Sequence, residues 1–330
     1  MHSRYAASAD IGSNSIHLIV AEISGRSLRV VHQEKEILRI GFAPQNEKKI
    51  ISSEFTLKTA GIINRFLQVA GSYGAPLKIV ATSAVRESAN AAEFVRDLYA
   101  ETGIRTEIIS GHQEAGFIYS GVMAALPWAA DRQCLCIDIG GGSTELIIGK
   151  NGRILFSESL KLGAVRLTER FFPDYILTDD SADQCCRTVK NELEPFLETI
   201  KRTGFEISAG TSGTVMSAAM IHKYSEGGEI STTPVQSDPL TEPLNDYTIP
   251  AGEISDIAKA MINFRSAEER KTITGLEAKR ADIFPAGLFI LDAIVRMLGV
   301  PSLTVSAFSL REGLLIRNNL STEALSDQNT

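Results

Sequence analysis

IDIGGGSTELIIG, residues 137–149, is the stretch from which the fold of this chain is predicted. An apolar strand ends on Asp138, three glycines follow at 140–142, and a second strand begins after Ser143. Glycine tolerates turns that other residues do not, and the backbone N–H groups of such a turn can point together at an anion. Asp138 and Glu145 place two carboxylates beside the turn, which suits a divalent cation carrying phosphate oxygens. Taken alone, the stretch fits a plain glycine-rich β-hairpin equally well.

The stretch has a counterpart near the start of the chain. Residues 9–21 read ADIGSNSIHLIVA, which aligns Asp10 with Asp138 and Gly12 with Gly140. A second pair of segments, IVATSAVRE at 79–87 and ISAGTSGTV at 207–215, follows at nearly the same offset. Two matched landmarks in the same order indicate a duplicated domain. We therefore expect two facing halves with a cleft between them, in which a phosphate is held from both sides.

Composition narrows the class of protein. The chain has 330 residues, which suggests about two domains, and 44% of them are apolar and 22% charged, as in ordinary globular proteins. The four cysteines lack C-x-x-C spacing and therefore suggest neither disulfides nor a zinc site. The first residues lack the apolar core of a signal peptide, and no apolar run of about 18 residues offers a membrane span. A net charge of −7 argues against a nucleic-acid-binding surface. We expect a cytoplasmic protein that binds neither nucleic acid nor a membrane.

Periodicity predicts an α/β chain in which both halves share one plan. In the first half, strands are predicted at 7–11, 16–23, 28–38, 77–82 and 106–109, and helices at 53–73 with Ser53 as N-cap, 88–102 and 111–125. In the second half, the hairpin is followed by helices from 163 and at 182–202, a strand at 205–209, a helix after 213, helices at 251–263 and 279–298, a strand at 303–305 and a helix from 309 to about 320. Residues 41–52 and 225–247 are predicted to be loops, and the last ten residues to be frayed.

Two further positions carry candidate chemistry. Arg86 follows a predicted strand, where α/β sheets present side chains to ligands, and its guanidinium suits phosphate oxygens. Taken alone, Arg86 is better explained by a surface ion pair with Glu87 or an aspartate. Glu114 lies in the first turn of the next predicted helix, where a carboxylate either complements the helix N-terminus or serves as a general base. The neighbouring His112 is expected to be exposed.

Taken together, these segments resemble the exopolyphosphatase and guanosine-pentaphosphate phosphatase (Ppx/GppA) family. The matching motifs, in family order, are DIGSNS (10–15), ATSAVRE (81–87), ISG-x-x-EA (109–115), DIGGGSTEL (138–146), LGAVRLTE (162–169), GTSGT (210–214), RADIFPAG (280–287) and LREGLL (310–315). The resemblance implies an α/β fold of two duplicated ribonuclease-H-like domains, as in the acetate and sugar kinase, heat-shock chaperone and actin superfamily. It implies a first domain of residues 1–125 plus 305–330, closed by the C-terminal helix, and a second domain of residues 126–304.

The resemblance also implies roles for particular residues. Glu114 matches the catalytic glutamate of the family and Arg86 its phosphate-binding arginine. Metal-associated carboxylates are matched by Asp10, Asp138 and Glu145, with Mg²⁺ or Mn²⁺ as the cofactor. The phosphate-contacting positions are Ser13, Asn14, Ser15, Arg86, Gly140, Gly141, Gly142, Ser143 and Thr211. The sequence departs from many relatives at residues 112–113, which lack an additional acid, and at 245–247, where relatives often carry a histidine.

To catalyse phosphoryl transfer, a protein must position the phosphate, neutralise its charge and align the attacking nucleophile. We expect a hydrolase that removes the terminal phosphate of inorganic polyphosphate. Guanosine pentaphosphate 5′-phosphohydrolase is the runner-up within the same chemistry, because both substrates end in a phosphoanhydride. Two further hypotheses are a nucleotide- or alarmone-binding regulator with weak turnover, against which an intact Glu114 argues, and a sugar or acetate kinase. P-loop and Rossmann motifs are absent from the sequence.

Two expectations concern assembly and substrate length. A homodimer is compatible with the sequence. Longer relatives continue past the LREGLL helix into further helical domains, so the two-domain form is expected to digest polyphosphate distributively.

Overall fold

The computed structural model describes residues 4–24, 27–40, 49–225, 229–233 and 244–326, with the side chains of 319–326 excepted. The chain divides into two compact units. The first unit contains Met1–Gly121 and Leu310–Thr330, and the second contains Val122–Ser309. The boundaries that the resemblance implies, 125/126 and 304/305, lie within a few residues of these.

The first unit is built on a five-stranded mixed sheet. Its strands are β1 (Arg4–Ile11), β2 (Ser15–Ser24), β3 (Ser27–Ile37), β4 (Leu77–Ala81) and β5 (Thr106–Ile108), in the order β3-β2-β1-β4-β5. The first three strands pair antiparallel, and β1, β4 and β5 pair parallel. The helices of this part are α1 (Ser53–Ser72), α2 (Ser83–Arg86), α3 (Ala91–Thr102) and α4 (Gly111–Ala125).

The second unit carries a six-stranded mixed sheet. Its strands are β6 (Cys134–Ile139), β7 (Thr144–Lys150), β8 (Arg153–Leu160), β9 (Ile207–Thr211), β10 (Thr248–Pro250) and β11 (Ser302–Val305), in the order β10-β11-β9-β6-β7-β8. Its helices are α5 (Ala164–Phe171), α6 (Asp179–Thr203), α7 (Ser212–Tyr224), α8 (Ala251–Met261), α9 (Ala267–Arg270) and α10 (Phe284–Leu298). The last helix of the chain, α11 (Leu310–Ser326), belongs to the first unit.

The two sheets repeat one design, as the duplicated motifs predict. β8-β7-β6-β9-β11 has the same order and the same strand directions as β3-β2-β1-β4-β5. Both sheets also shift register at the same point, after Val20 in the pairing of β2 with β3 and after Ile148 in the pairing of β7 with β8. These positions have the offset that separates Asp10 from Asp138. The prediction of an α/β fold with two ribonuclease-H-like halves is therefore confirmed.

Burial explains why the central strands form where they do. β6 is buried along its whole length, which is typical of a strand covered on both faces. β3, at the edge of its sheet, keeps several exposed side chains, and charged residues on such a strand limit pairing with other chains. In the second unit, α10 is buried over almost its full length and forms the centre of the core.

Several element boundaries differ from the predicted ones for local reasons. The N-cap of α1 is Ser52, whose Oγ accepts from Phe55 N–H at 3.2 Å, and not Ser53. α6 begins earlier than predicted because Thr178 and Ser181 form a capping box. α10 begins only at Phe284, since residues 278–280 form a separate 3₁₀ turn.

Some predictions fall outside the described residues. This applies to residues 41–48 of the first predicted loop, to 226–228 and 234–243 of the second, and to 327–330 of the terminus. Within the described ranges, no helix combines the length and the apolar character needed to cross a membrane.

Candidate functional site

Three candidate side chains of the second unit lie in register at one end of its sheet. Asp138 on β6 is paired with Glu145 on antiparallel β7 and with Thr211 on parallel β9. Side chains that are directly opposite each other on neighbouring strands project from the same face of a sheet. The two carboxylates and the hydroxyl therefore share one face of the sheet, and the two carboxylates lie beside the turn, as predicted.

Each of the two carboxylates is buried and held by a serine. Asp138 is 8% exposed, and its Oδ2 accepts from Ser309 Oγ at 2.6 Å. Glu145 is 2% exposed, and its Oε1 accepts from Ser159 Oγ at 2.8 Å. Burying a charged group is unfavourable unless it is paired or hydrogen-bonded. The serines fix the orientations of the two carboxylates, whose oxygens are the ligand type that a divalent cation prefers.

The glycine-rich turn has the same geometry in both units. Gly140 N–H donates to Ser143 O at 2.9 Å, and Gly12 N–H donates to Ser15 O at 3.0 Å. A Cβ at either glycine would lie 3.2 Å from that serine carbonyl oxygen, and neither glycine has a left-handed φ. A side chain at either position would therefore be tightly placed against the backbone of the turn.

In the first unit, Asp10 is paired with His17 and Arg311. Asp10 is opposite His17 on β2, so His17 occupies the position that Glu145 has in the second unit. Arg311 Nη1 donates to Asp10 Oδ1 at 3.0 Å and also contacts His17 Nδ1. The other ring nitrogen of His17, Nε2, lies 2.9 Å from Ser15 Oγ.

The titration behaviour of Asp10 and His17 follows from these contacts. Burial alone would raise the pKa of Asp10, but His17 and Arg311 outweigh it and lower that pKa to about 2. Burial and the charge of Arg311 lower the pKa of His17. His17 is therefore neutral near pH 7, and Arg311 is the cation that balances Asp10.

The first-unit turn is also held from its carbonyl side. Ile40 N–H donates to Ser13 O at 3.3 Å, and Arg39 Nε donates to Asn14 Oδ1 at 3.3 Å. Asn14 and Ser15 are each 7% exposed. The predicted contact residues 13–15 thus belong to one ordered turn.

Arg86 and Glu114 form an ion pair in the first unit. Arg86 Nη1 donates to Glu114 Oε2 at 2.9 Å and to the carbonyl oxygen of Ile109 at 2.9 Å. Glu114 is in the first turn of α4 and 7% exposed. Glu87, the competing partner for Arg86, instead accepts from Lys49 Nζ at 3.1 Å and from Ser83 Oγ at 2.8 Å. The two residues that the resemblance marks for catalysis are therefore adjacent, whereas a pair of Arg86 with Glu87 is not observed.

Other predicted positions are placed as follows. Thr211 Oγ1 donates to Phe308 O at 3.2 Å, and Thr211 is 2% exposed. His112 is exposed, as predicted. The segment 245–247 itself contains no histidine. A histidine from α7 lies next to it, since His222 Nδ1 is 2.8 Å from Tyr247 Oη.

The donor sets differ in how well they fit a divalent cation. Mg²⁺ takes oxygen ligands and is commonly bound through one or two carboxylates, with waters and substrate phosphate completing the set. The Asp138–Glu145 pair fits this description. Asp10 does not, because the guanidinium of Arg311 already binds its carboxylate and would repel a second cation. Across the described residues, no group of three or more histidine, cysteine, aspartate or glutamate side chains is suited to a metal.

Four residues at these sites were missed by sequence reasoning: Arg311, His17, Ser309 and Ser159. Two of them had a signal. His17 aligns with Glu145 in the duplication, and Arg311 lies in the LREGLL motif, to which the sequence pattern attaches no role. Nothing in the pattern around Ser159 or Ser309 marked either serine as a partner of a carboxylate.

Comparison with known proteins identifies the family of this chain. A model of the Ppx/GppA phosphatase family matches residues 19–322. The structure is similar to the Aquifex aeolicus member of that family, with 25% identity, a TM-score of 0.78, and coverage of 97% of this chain and 99% of that one. It is also similar to an exopolyphosphatase from Cytophaga hutchinsonii, with 25% identity, a TM-score of 0.80, and coverage of 94% and 96%. An exopolyphosphatase-like protein with 21% identity and a TM-score of 0.82, over 96% and 98% of the two chains, shares the fold.

The family model covers most of the sequence, including seven of the eight motifs in full. The similar structures are matched over nearly their whole length. This chain therefore belongs to the Ppx/GppA phosphatase family.

Proposed function

We propose that this protein is an exopolyphosphatase, which hydrolyses the terminal phosphoanhydride of inorganic polyphosphate and releases orthophosphate. The observation that carries the proposal is the ion pair of Arg86 with Glu114, with 2.9 Å between Nη1 and Oε2. The guanidinium fixes the direction of the buried carboxylate, and a carboxylate placed beside a phosphate in this way can accept a proton from the attacking water. Membership of a phosphatase family and similarity to the Cytophaga hutchinsonii exopolyphosphatase support the same chemistry.

Glu114 is assigned as the general base. Its carboxylate accepts a proton from the attacking water while the water oxygen bonds to the terminal phosphorus. The bridging P–O bond breaks, and the shortened polyphosphate leaves as an anion. Arg86 orients the base, because its Nη1 binds both Glu114 and the carbonyl of Ile109 at the end of the preceding strand.

Arg86 is also assigned to the phosphate. A guanidinium has five N–H donors, and the contacts to Glu114 and Ile109 involve Nη1 alone. We assign the donors on Nη2 and Nε to phosphate oxygens. One guanidinium then links the base to the group it acts on, which is the positioning that phosphoryl transfer requires.

Phosphate binding in the second unit is assigned to the turn at 140–143 and to the Asp138–Glu145 pair. The pair would hold Mg²⁺, which when bound supplies positive charge against the phosphate oxygens. Ser309 and Ser159 keep the two carboxylates in place. The backbone N–H groups of the turn are the donors that we assign to the terminal phosphate.

The test of the proposal is phosphate release from long-chain polyphosphate with Mg²⁺, run beside guanosine pentaphosphate. We expect orthophosphate from polyphosphate, with a kcat/KM for polyphosphate at least equal to that for guanosine pentaphosphate. Release from guanosine pentaphosphate alone would replace the proposal with the nucleotide phosphohydrolase. Binding of either substrate without turnover would replace it with a regulator.

Glu114→Gln tests the assigned base. The amide keeps the shape of the side chain and loses the proton acceptor, so kcat should fall by about 10²–10⁴-fold while polyphosphate binding persists. Glu87→Gln is the matched control, because Glu87 is partly buried near Arg86 and pairs with Lys49 and Ser83. A Glu114→Gln enzyme that keeps more than about a third of the wild-type kcat would remove Glu114 from this role.

A further inference from the structure

The start of α5 binds three successive carbonyl groups of the glycine-rich turn. Ala164 N–H donates to Gly140 O at 2.9 Å. Val165 and Arg166 N–H both donate to Gly141 O, at 2.9 and 3.1 Å. Arg166 Nε then donates to Gly142 O at 2.7 Å. The carbonyl side of the turn from 140 to 142 is therefore fully engaged by one helix start.

The geometry of the peptide bond gives this a direct consequence for the amide groups. In a trans peptide the N–H of one residue points opposite to the C=O of the residue before it, and the described residues contain no cis peptide. Since the carbonyls of 140, 141 and 142 point at α5, the N–H groups of Gly141, Gly142 and Ser143 point away from it. Three successive N–H groups on one side of a turn form an anion-binding concavity.

Arg166 contributes more to this arrangement than its neighbours do. It is the residue of α5 that binds the turn through both backbone and side chain, contacting Gly141 O and Gly142 O. The Gly142 contact determines the direction of the Ser143 N–H, the last of the three. The guanidinium also places a positive charge behind the turn, in a chain whose net charge is −7.

We propose that Arg166 is the positioning residue of an anion site formed by the N–H groups of Gly141, Gly142 and Ser143. Arg166 acts through the Gly142 carbonyl and not by contact with the anion. The proposal rests on the proposed function in one respect, the choice of a terminal phosphate as the anion. Binding of the anion to this site does not require hydrolysis. It gives a role to LGAVRLTE, a motif that the resemblance marks without explaining.

The probe for this site is tripolyphosphate, whose binding is measured by calorimetry in a Glu114→Gln background so that turnover does not interfere. Arg166→Ala removes the side-chain bond to Gly142, and we expect affinity to fall by about tenfold or more, as for other hydrogen bonds from charged groups. Arg170→Gln is the matched control, because Arg170 is exposed on the same helix and packs over the Phe171 ring. It should change affinity by no more than about twofold.

Two further measurements separate positioning from a structural role. Arg166→Lys keeps the charge and the aliphatic stem but lacks the Nε donor, so it should melt near the wild-type temperature and still bind weakly. Added guanidinium, at low millimolar concentration, should restore binding to Arg166→Ala, whereas urea at the same concentration should not. An Arg166→Ala or Arg166→Lys protein that binds tripolyphosphate like its parent overturns the proposal, whatever its melting temperature.

The result is independent of the outcome for the proposed function. If the wild-type protein releases no phosphate from polyphosphate but binds tripolyphosphate in an Arg166-dependent way, the function fails and the anion site stands. If polyphosphate is hydrolysed and the Arg166 variants bind and turn over normally, the function stands and the role of Arg166 is wrong.

Discussion

At the residue scale, arginine forms the decisive contact in three parts of the candidate sites. Arg86 binds Glu114 and Ile109 O, Arg311 binds Asp10 and His17, and Arg166 binds Gly142 O. A planar guanidinium presents donors in fixed directions, so one side chain can hold two partners at once. Lysine has a single ammonium on a flexible stem and reproduces the charge without these directions.

This difference makes a prediction for Arg86. Arg86→Lys should lose activity about as severely as Arg86→Ala, by about 10²-fold, because an ammonium has its donors on one atom and lacks the planar fork that reaches Glu114, Ile109 O and phosphate in different directions. The measurement is kcat and kcat/KM on polyphosphate for both variants. Arg96→Lys, an exposed arginine of the first unit that pairs with Asp97, is the control and should behave as wild type. A fully active Arg86→Lys enzyme would show that Arg86 supplies charge alone.

These side-chain contacts also show which features of the site could not be predicted from the sequence. Arg86 and Glu114 were recognised separately, and their pairing follows from parallel neighbours β4 and β5, whose carboxyl ends meet at one edge. Arg311 binds Asp10 across 301 positions of sequence, and Ser309 binds Asp138 across 171. No local pattern encodes a partner at such separations.

At the element scale, long periodic segments were predicted well, whereas three short elements, α2, α9 and β10, were not predicted. The strands of both hairpins and the helices α1, α4 and α6 alternate or repeat strongly enough to be recognised from the sequence. α2 and α9 have four residues each and β10 has three, which is too few to show a period. The start of α5 is a different case. A helix from Gly163 was predicted, but the reason for glycine at this position is a tertiary contact with the turn at 140–142.

Gly163 provides the element-scale prediction. A Cβ at Gly163 would lie 2.3 Å from Gly141 O and 2.5 Å from the carbonyl carbons of Gly141 and Gly142. Backbone cannot move aside as a flexible side chain can, so Gly163→Ala should push α5 away from the turn. We expect a loss of about 1–3 kcal/mol in the free energy of unfolding, together with weaker tripolyphosphate binding.

Gly252→Ala is the control for this change. Gly252 lies in α8 of the same unit, has nothing within 4 Å of an added Cβ and no left-handed φ. Alanine there should be neutral or stabilise by up to about 1 kcal/mol in urea denaturation. If Gly163→Ala and Gly252→Ala have the same free energy of unfolding and the same affinity for tripolyphosphate, the contact of α5 with the turn contributes to neither stability nor binding.

At the scale of the whole molecule, the duplication preserved the backbone and changed the charges. Both units keep the strand order, the register shift and the turn that closes on a serine carbonyl. The second unit has Asp138 opposite Glu145, whereas the first has Asp10 opposite His17, with Arg311 bonded to both. The second unit thus has two carboxylates at the paired positions, whereas the first unit has one carboxylate that is bonded to an arginine.

This divergence predicts how many divalent cations the chain binds and where. In the second unit two buried carboxylates lie opposite each other on paired strands and offer oxygen ligands to a divalent cation. In the first unit the Arg311 guanidinium already supplies a positive charge to Asp10. We therefore expect one Mn²⁺ per chain. Asp138→Asn and Glu145→Gln should each weaken Mn²⁺ binding by about tenfold or more, and Asp10→Asn should leave it within about twofold.

The measurement is Mn²⁺ binding followed by electron paramagnetic resonance of the free ion, which needs no substrate and no turnover. Because Asp10→Asn leaves Arg311 without its carboxylate, the variant must first be shown to be folded by its melting curve. Arg311→Lys, which keeps a cation near Asp10, serves as a second first-unit variant that should bind Mn²⁺ normally. Two outcomes would contradict the prediction: two Mn²⁺ ions bound per chain, or a loss of Mn²⁺ affinity with Asp10→Asn as large as with Asp138→Asn. Either would mean that the first unit contributes metal ligands and that the Arg311 guanidinium does not replace a metal ion there.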